Sequence, residues 1–172
     1  MTEHISISNL PLERWEELKQ MRIQGVKAEH LSFARTAEEL ESDTEENWRK
    51  RCAWRIGLDH KEWLVIELNG KPIGYVMISV GEPMKLRHVG YINGMYISAD
   101  YRNRGLGGKL LGEALRRLKE NNVIKVRLEV IVESVPAVTL YKRFGFEVLG
   151  TFRKEINSDG SYYDEFVMEK FL

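Results

Sequence analysis

The sequence predicts an α/β (α+β) protein with a single mixed β-sheet of about seven strands flanked by helices, in the order β-α-α-β-β-β-α-β-α-β-β. Three observations predict this. Apolar residues follow a helical period in the first third of the chain and change to alternating or continuous apolar runs from Glu62 onward. The dipeptides Asn69-Gly70 and Asp159-Gly160 each divide a pair of such runs, as hairpin turns do. One amphipathic helical stretch, 105–120, lies between the strand-like runs 88–98 and 125–132, which makes a β-α-β unit with parallel strands.

The elements follow in order. Residues 5–7 alternate, as a short first strand does. Residues 11–29 read as a helix, with Leu12, Trp15, Leu18, Met21 and Arg22 at helical spacing. A second helical region spans 36–56 and carries two capping-box patterns, Thr36-x-x-Glu39 and Ser42-x-x-Glu45. Its acidic residues lead and Arg49, Lys50 and Arg51 follow, which suits the helix dipole, and these charges read as a solvated face. Residues 62–68 and 72–80 are strands joined at Asn69-Gly70, where both central positions take positive φ. In the helix 105–120, Leu106, Leu110, Leu111, Ala114, Leu115 and Leu118 share one side. The strand 125–132 is apolar enough for the middle of a sheet. A short helix, 134–144, precedes two closing strands, 146–154 and 162–171.

The chain of 172 residues has the size of one domain, 1–172, without repeat or linker. Lys plus Arg and Asp plus Glu number 26 each, so the basic excess of a generic nucleic-acid binder is missing. The single cysteine, Cys52, cannot form an intrachain disulfide and reads as a half-buried small residue beside Trp48. The histidines His4, His30, His60 and His88 are scattered, and no metal site is expected. The first residues lack the basic start and apolar run of a signal peptide, and no stretch is long enough to span a membrane. The cytoplasm is the expected location.

The chemistry concentrates at a strand-to-helix turn. Arg102-Asn103-Arg104-Gly105-Leu106-Gly107-Gly108 opens the helix 105–120. A helix N-terminus presents unpaired N–H groups and a partial positive charge. Glycines let a phosphate approach such a backbone closely, and two arginines add charge. Tight helix–strand packing explains the glycines equally well. A P-loop would need Gly at position 103 and Ser or Thr at 110, where the chain has Asn103 and Leu110. A dinucleotide fingerprint would need Gly or Ala at 110 and a shorter link from the strand.

Arg102-x-x-Gly105-x-Gly107, after a strand ending at Ile97 with Tyr101 following, resembles the acetyl-CoA pyrophosphate loop of the GNAT acetyltransferases. Ala137-Val-x-Leu140-Tyr141-Lys-Arg-Phe-Gly145-Phe146 resembles the second motif of that family and follows at the expected distance. The family-like pattern covers 63–171. The resemblance implies acetyl-CoA as cosubstrate, held by backbone groups from Asn103 to Gly108, with Arg102 and Arg104 beside it. It implies that Met95, Tyr96 and Ile97 line the pantetheine arm through their backbone. Ser134 stands where the family often has an asparagine that helps hold the cofactor. Phe144 and Phe146 read as core, with Gly145 as a left-handed helix cap.

Acetyl transfer from a thioester requires an unprotonated amine, a stabilised oxyanion and a proton for the departing thiolate. The resemblance places Tyr141 beside the cofactor sulfur as the acid; from the residues alone it reads rather as a core aromatic facing inward with Leu140 and Phe144. Glu129, in the segment Leu128-Glu129-Val130, matches the glutamate assigned as base in the ribosomal-protein alanine acetyltransferases of the family. An acidic residue in a central strand needs a reason, either a pocket or a salt bridge with Arg127, Lys125 or a neighbouring arginine. Glu82, His88 and Glu133 are alternatives for the same role. The implied partner is a small-molecule amine, with a peptide amine as the alternative, and a homodimer is compatible. The competing functions are acetylation of a protein N-terminus or lysine, and a non-catalytic acyl-CoA-binding module.

Overall fold

A computed structural model describes residues 3–172. The strands are β1 (Ile5–Ser8), β2 (Lys61–Leu68), β3 (Lys71–Val80), β4 (Val89–Ile97), β5 (Lys125–Ile131), β6 (Glu147–Ser158) and β7 (Ser161–Phe171). The helices are α1 (Trp15–Ala28), α2 (Ala37–Glu41), α3 (Glu45–Ala53), α4 (Ile56–Asp59), α5 (Leu106–Glu120) and α6 (Val135–Arg143). All seven strands form one mixed sheet in the order β1-β2-β3-β4-β5-β7-β6, with β4 and β5 as its parallel pair.

The expected turns form where the chemistry placed them. Asn69 and Gly70 take φ of 51° and 79°, and Asp159 and Gly160 take 51° and 81°. Gly145 takes φ of 83° after α6. β6 is longer than expected because it continues past Lys154, which sits in a left-handed kink (φ 55°) within a register break between Phe152 and Ile156.

The helical region 36–56 departs from expectation. It is broken into α2 and α3, because Thr36 caps the first and Thr44 the second. The Thr36–Glu39 capping box forms with both of its bonds. The Ser42–Glu45 box does not: Ser42 ends α2 and donates its hydroxyl to the Glu39 carbonyl, while Thr44 takes the N-cap position. Arg51 also leaves the expected solvated face. It turns in to Asp43, which Arg35 meets at 3.2 Å.

The sheet separates two cores. On one face α5 lays Leu106, Leu110, Leu111, Ala114 and Leu118 against Ile66, Ile78, Val126, Leu128 and Val130. On the other, α1 to α3 bring Leu18, Met21, Val26, Leu40 and Trp48 over Trp63, Val65, Tyr75 and Tyr96. β4 and β5 pair from Val89 opposite Lys125 to Ile92 opposite Leu128 and no further, although both strands continue. At the same level β4 bulges against β3, with Gly94 at φ 127°. The sheet therefore opens in its middle, leaving the β5 side of the Asn93-to-Ile97 backbone without a ladder partner.

Candidate active site

The turn that opens α5 lies at the end of β4 where the strands part. A single helical turn, Ala99–Tyr101, leads to Asn103 and Gly105 in left-handed conformations, φ 60° and 74°. Gly105 is the N-cap, and no side chain caps the helix. The first amide to bond back is that of Lys109, to the Gly105 carbonyl at 3.2 Å. The N–H groups of Leu106, Gly107 and Gly108 are thus the orphan donors of a helix N-terminus, carrying its positive end.

The glycines are not dictated by packing. A Cβ on Gly107 would meet Met95 Cε at 3.4 Å and Leu140 Cδ2 at 3.5 Å, and one on Gly108 would meet Phe144 at 3.5 Å. These are ordinary contacts, and neither residue has positive φ. What the missing side chains leave is exposed backbone, the form of an anion cradle.

The arginines behave differently from one another. Arg102 donates from Nε to the Ile97 carbonyl at 2.9 Å and pairs with Glu29 at 2.8 Å. It braces the end of β4 against the end of α1 rather than offering a free charge to the turn. Arg104 is half-exposed, 3.6 Å from Glu3. Met95 and Ile97 face the α5 side and Tyr96 faces the α1 side, so only their backbone is shared with the opening. Ser134 holds the N-cap position of α6, but its side chain makes no cap bond, and Pro136 in the first turn needs no N–H partner.

Tyr141 and Glu129 lie on opposite faces. The Tyr141 ring is buried in the α5-side core, edge-on to Phe146 with centroids 5.8 Å apart. Burial pushes its hydroxyl up to about 12, so it is protonated at neutral pH. Glu129 is exposed on the other face, and among the described residues no salt bridge ties it down. The cations expected to compensate it are taken: Glu169 holds Arg127 at 2.8 Å and Lys125 at 3.0 Å. Glu129 instead lines a cleft of about 230 Å³ with Tyr91, Asn93, Arg127, Leu149 and Phe152. Of the alternatives, Glu82 and His88 lie near the opposite end of β4, with Glu82 3.8 Å from Lys61. Glu133 is exposed just beyond β5.

One carboxylate escaped the sequence reading. Glu165 on β7 is partly buried, and desolvation, then the charges of Glu129 and Glu155, raise its pKa. It reaches Glu129 only through the β5–β7 register, a long-range pairing for which the sequence offers no local signal.

Comparison with known proteins agrees with this architecture. The family model described as "Acetyltransferase (GNAT) family" matches residues 27–146. The L-amino acid N-acetyltransferase AaaT of Escherichia coli (strain K12) is 30% identical over 125 residues, 72% of this chain and 74% of that protein. An N-alpha-acetyltransferase of Sulfurisphaera tokodaii is 30% identical over 99 residues, 53% of this chain and 59% of that protein. Among solved structures, a GNAT-family acetyltransferase from Streptococcus pneumoniae superposes with a TM-score of 0.79 at 25% identity, covering 98% of this chain and 100% of the other. The fold is shared also by yncA of Salmonella typhimurium, solved with acetyl-CoA, at a TM-score of 0.82 and 16% identity over 98% of this chain and 94% of the other. With its family model spanning most of the chain and a relative matched over nearly three quarters of its length, the protein belongs to the GNAT family and is an acetyl-CoA-dependent N-acetyltransferase.

Proposed function

We propose that the chain moves the acetyl group directly to the primary amine of a small molecule. The observation that carries this reading is the parting of β4 and β5 between two differently furnished faces. One has the open α5 N-terminus and Tyr141; the other has Glu129, Glu165 and the cleft.

Acetyl-CoA supplies the activated acyl group. The backbone from Asn103 to Gly108 fits its pyrophosphate, through the unpaired amides of Leu106, Gly107 and Gly108. The backbone of Met95, Tyr96 and Ile97 is available to the pantetheine arm, and the Ser134 hydroxyl, which caps nothing, adds a polar group near α6. Glu129, with Glu165 diagonal to it, takes the proton of the acceptor ammonium, directly or through water. The Tyr141 hydroxyl, held protonated by its burial, gives a proton to the departing sulfur. Such a proton path has a purpose in a transferase and none in a non-catalytic acyl-CoA module.

Neighbouring elements support a small substrate: α1 to α3 cover that face over β2 to β4, and Leu149 and Phe152, both partly exposed, line the cleft. The amino-acid acceptor in the name of the Escherichia coli relative favours the same reading. The N-alpha-acetyltransferase relatives favour a second one, a peptide or protein N-terminus. The proposal takes residues 1–172 as one domain acting in the cytoplasm. Thiol release from acetyl-CoA, measured against amines, polyamines, amino acids and peptides, tests it. The highest kcat/KM is expected for a small amine; a preference for peptides would move the assignment to the second reading.

A further inference from the structure

Arg22 is a buried cation without a carboxylate. It extends from α1 toward the sheet with 9% of its surface exposed. Nearby cations hold acidic partners: Arg102 holds Glu29, and Arg127 and Lys125 hold Glu169. Arg22 holds none among the described residues. Its one side-chain partner is the Tyr75 hydroxyl, to which Nη1 donates at 2.8 Å. Its guanidinium carbon lies 4.3 Å from the centre of the Phe33 ring, 5.5 Å from Tyr75 and 5.8 Å from Trp63. These rings flank the guanidinium, and Nη1 is its only nitrogen with a side-chain acceptor among the described residues.

Two further donors border Arg22. The Tyr75 hydroxyl is pushed up to about 12, mainly by burial, and stays protonated; its oxygen already accepts from Arg22, so its proton is left to give. The Trp63 indole N–H is buried with no acceptor. A donor-only cluster of this kind is half of a recognition site, and the missing half is an anion.

The cluster adjoins the cleft. Gly94 lies in the β4 bulge, next to Asn93, which lines the cleft beside Glu129. A Cβ on Gly94 would stand 3.2 Å from Phe33 Cε1 and 3.9 Å from Arg22 Nη1. The lack of a side chain there keeps the way between guanidinium and cleft open. With the proton-accepting Glu129 on one side of this bulge and Arg22 on the other, the site offers opposite charges to one small molecule.

Resting on the transferase reading above, we infer that Arg22 receives the carboxylate of an acceptor bearing both an amine and a carboxylate, which makes free amino acids the acceptor class rather than simple amines or polyamines. The planar guanidinium fork matches a carboxylate, and a carboxylate in the cleft would supply the acidic partner that Arg22 lacks.

The test compares free L-amino acids with their α-carboxamides. The carboxamides have the more acidic ammonium, so chemistry alone favours them. Wild type should show kcat/KM higher for the acids by roughly 10²-fold or more, the range for a site built around a charged partner. Arg22→Met should abolish that preference through KM, with carboxamide turnover and acetyl-CoA affinity held. Should Arg22→Met fail to fold, Arg22→Lys keeps the charge but not the fork and should show a smaller, KM-only loss of preference for the acids. Calorimetry with N-acetyl-L-amino acids and their carboxamides, in the presence of CoA, reads the same preference without turnover. If no small amine is acetylated, the small-molecule reading falls, and the binding measurement still decides the role of Arg22. Equal handling of acid and carboxamide by wild type, or a preference left undiminished in Arg22→Met or Arg22→Lys, overturns the inference.

Discussion

Across the β5–β7 ladder Glu129 pairs with Val167 and Glu165 with Ile131, so the Glu129 and Glu165 carboxylates stand diagonally on one face of the sheet. Desolvation raises Glu165, and the Glu129 charge adds to it. A raised carboxylate contributes stability that is complete below the ordinary carboxylate range and is lost as pH rises through the raised value. Glu165→Gln should therefore raise the melting temperature at neutral pH and not in acid. Scanning calorimetry across mildly acidic pH checks this; an unchanged pH slope would separate the two carboxylates.

Glu129→Gln should lower turnover at neutral pH and recover partly in alkali, where the amine loses its proton unaided. The pH profile of kcat/KM is the measurement. A near-normal neutral rate would hand the role to Glu165, Glu133 or bulk water.

At the α5 turn, Gly107→Asp places a carboxylate among amides proposed to hold a pyrophosphate. The chain has room for the new Cβ, whose nearest neighbour would be the flexible Met95 Cε at 3.4 Å. The variant should fold and lose CoA affinity by about 10-fold or more, on the scale of a charge reversal at a helix N-terminus. Unchanged affinity by calorimetry would remove the pyrophosphate from this turn.

Tyr141→Phe deletes one hydroxyl and keeps the edge-on contact with Phe146. Turnover under saturating acetyl-CoA should fall by about 10²-fold, the lower range for a lost general acid. Melting temperatures with and without CoA should hold, since the interaction belongs to the transition state. Unchanged turnover would leave Tyr141 a packing residue.

Asp43 links α2 and α3. Burial pushes its carboxyl up, but bonds from Asn47, Arg51 and Arg35 prevail and hold it well below the usual range. It contributes stability that is full above the ordinary carboxylate range and is lost as pH falls from that range through the depressed value. Asp43→Asn should cost on the order of 2–3 kcal/mol at neutral pH, below the fully buried figure because Arg35 is partly exposed. The deficit should shrink in acid, as read by urea unfolding at several pH values.

What was legible in the chain was local. The Asn69-Gly70 turn, the apolar side of α5 and the glycines at its start are set by neighbours within a few residues. The break between α2 and α3 was ambiguous because Ser42 and Thr44 are both good caps, and Asp43 decides between them only by gathering Arg35 and Arg51. Arg22 was legible as a member of the apolar stripe of α1, but not as a cation without a partner, since that depends on every acidic group elsewhere. Glu165 and the Gly94 bulge depend on strand register, which no short window contains.

The opening between β4 and β5 also bears on how the molecule assembles. On one side lie β1 to β4, and on the other β5, β7 and β6, each group built from antiparallel pairings. The parallel ladder joining them ends after Ile92 and Leu128, and closing it requires the whole of α5 to be placed first. Long-range parallel pairing is slow to form. The two halves can therefore gain structure early, with their docking through α5 as the late step. Amide hydrogens around this seam should exchange more readily than those within β2–β3, so that the line along which the sheet divides is also the line along which it is last to close.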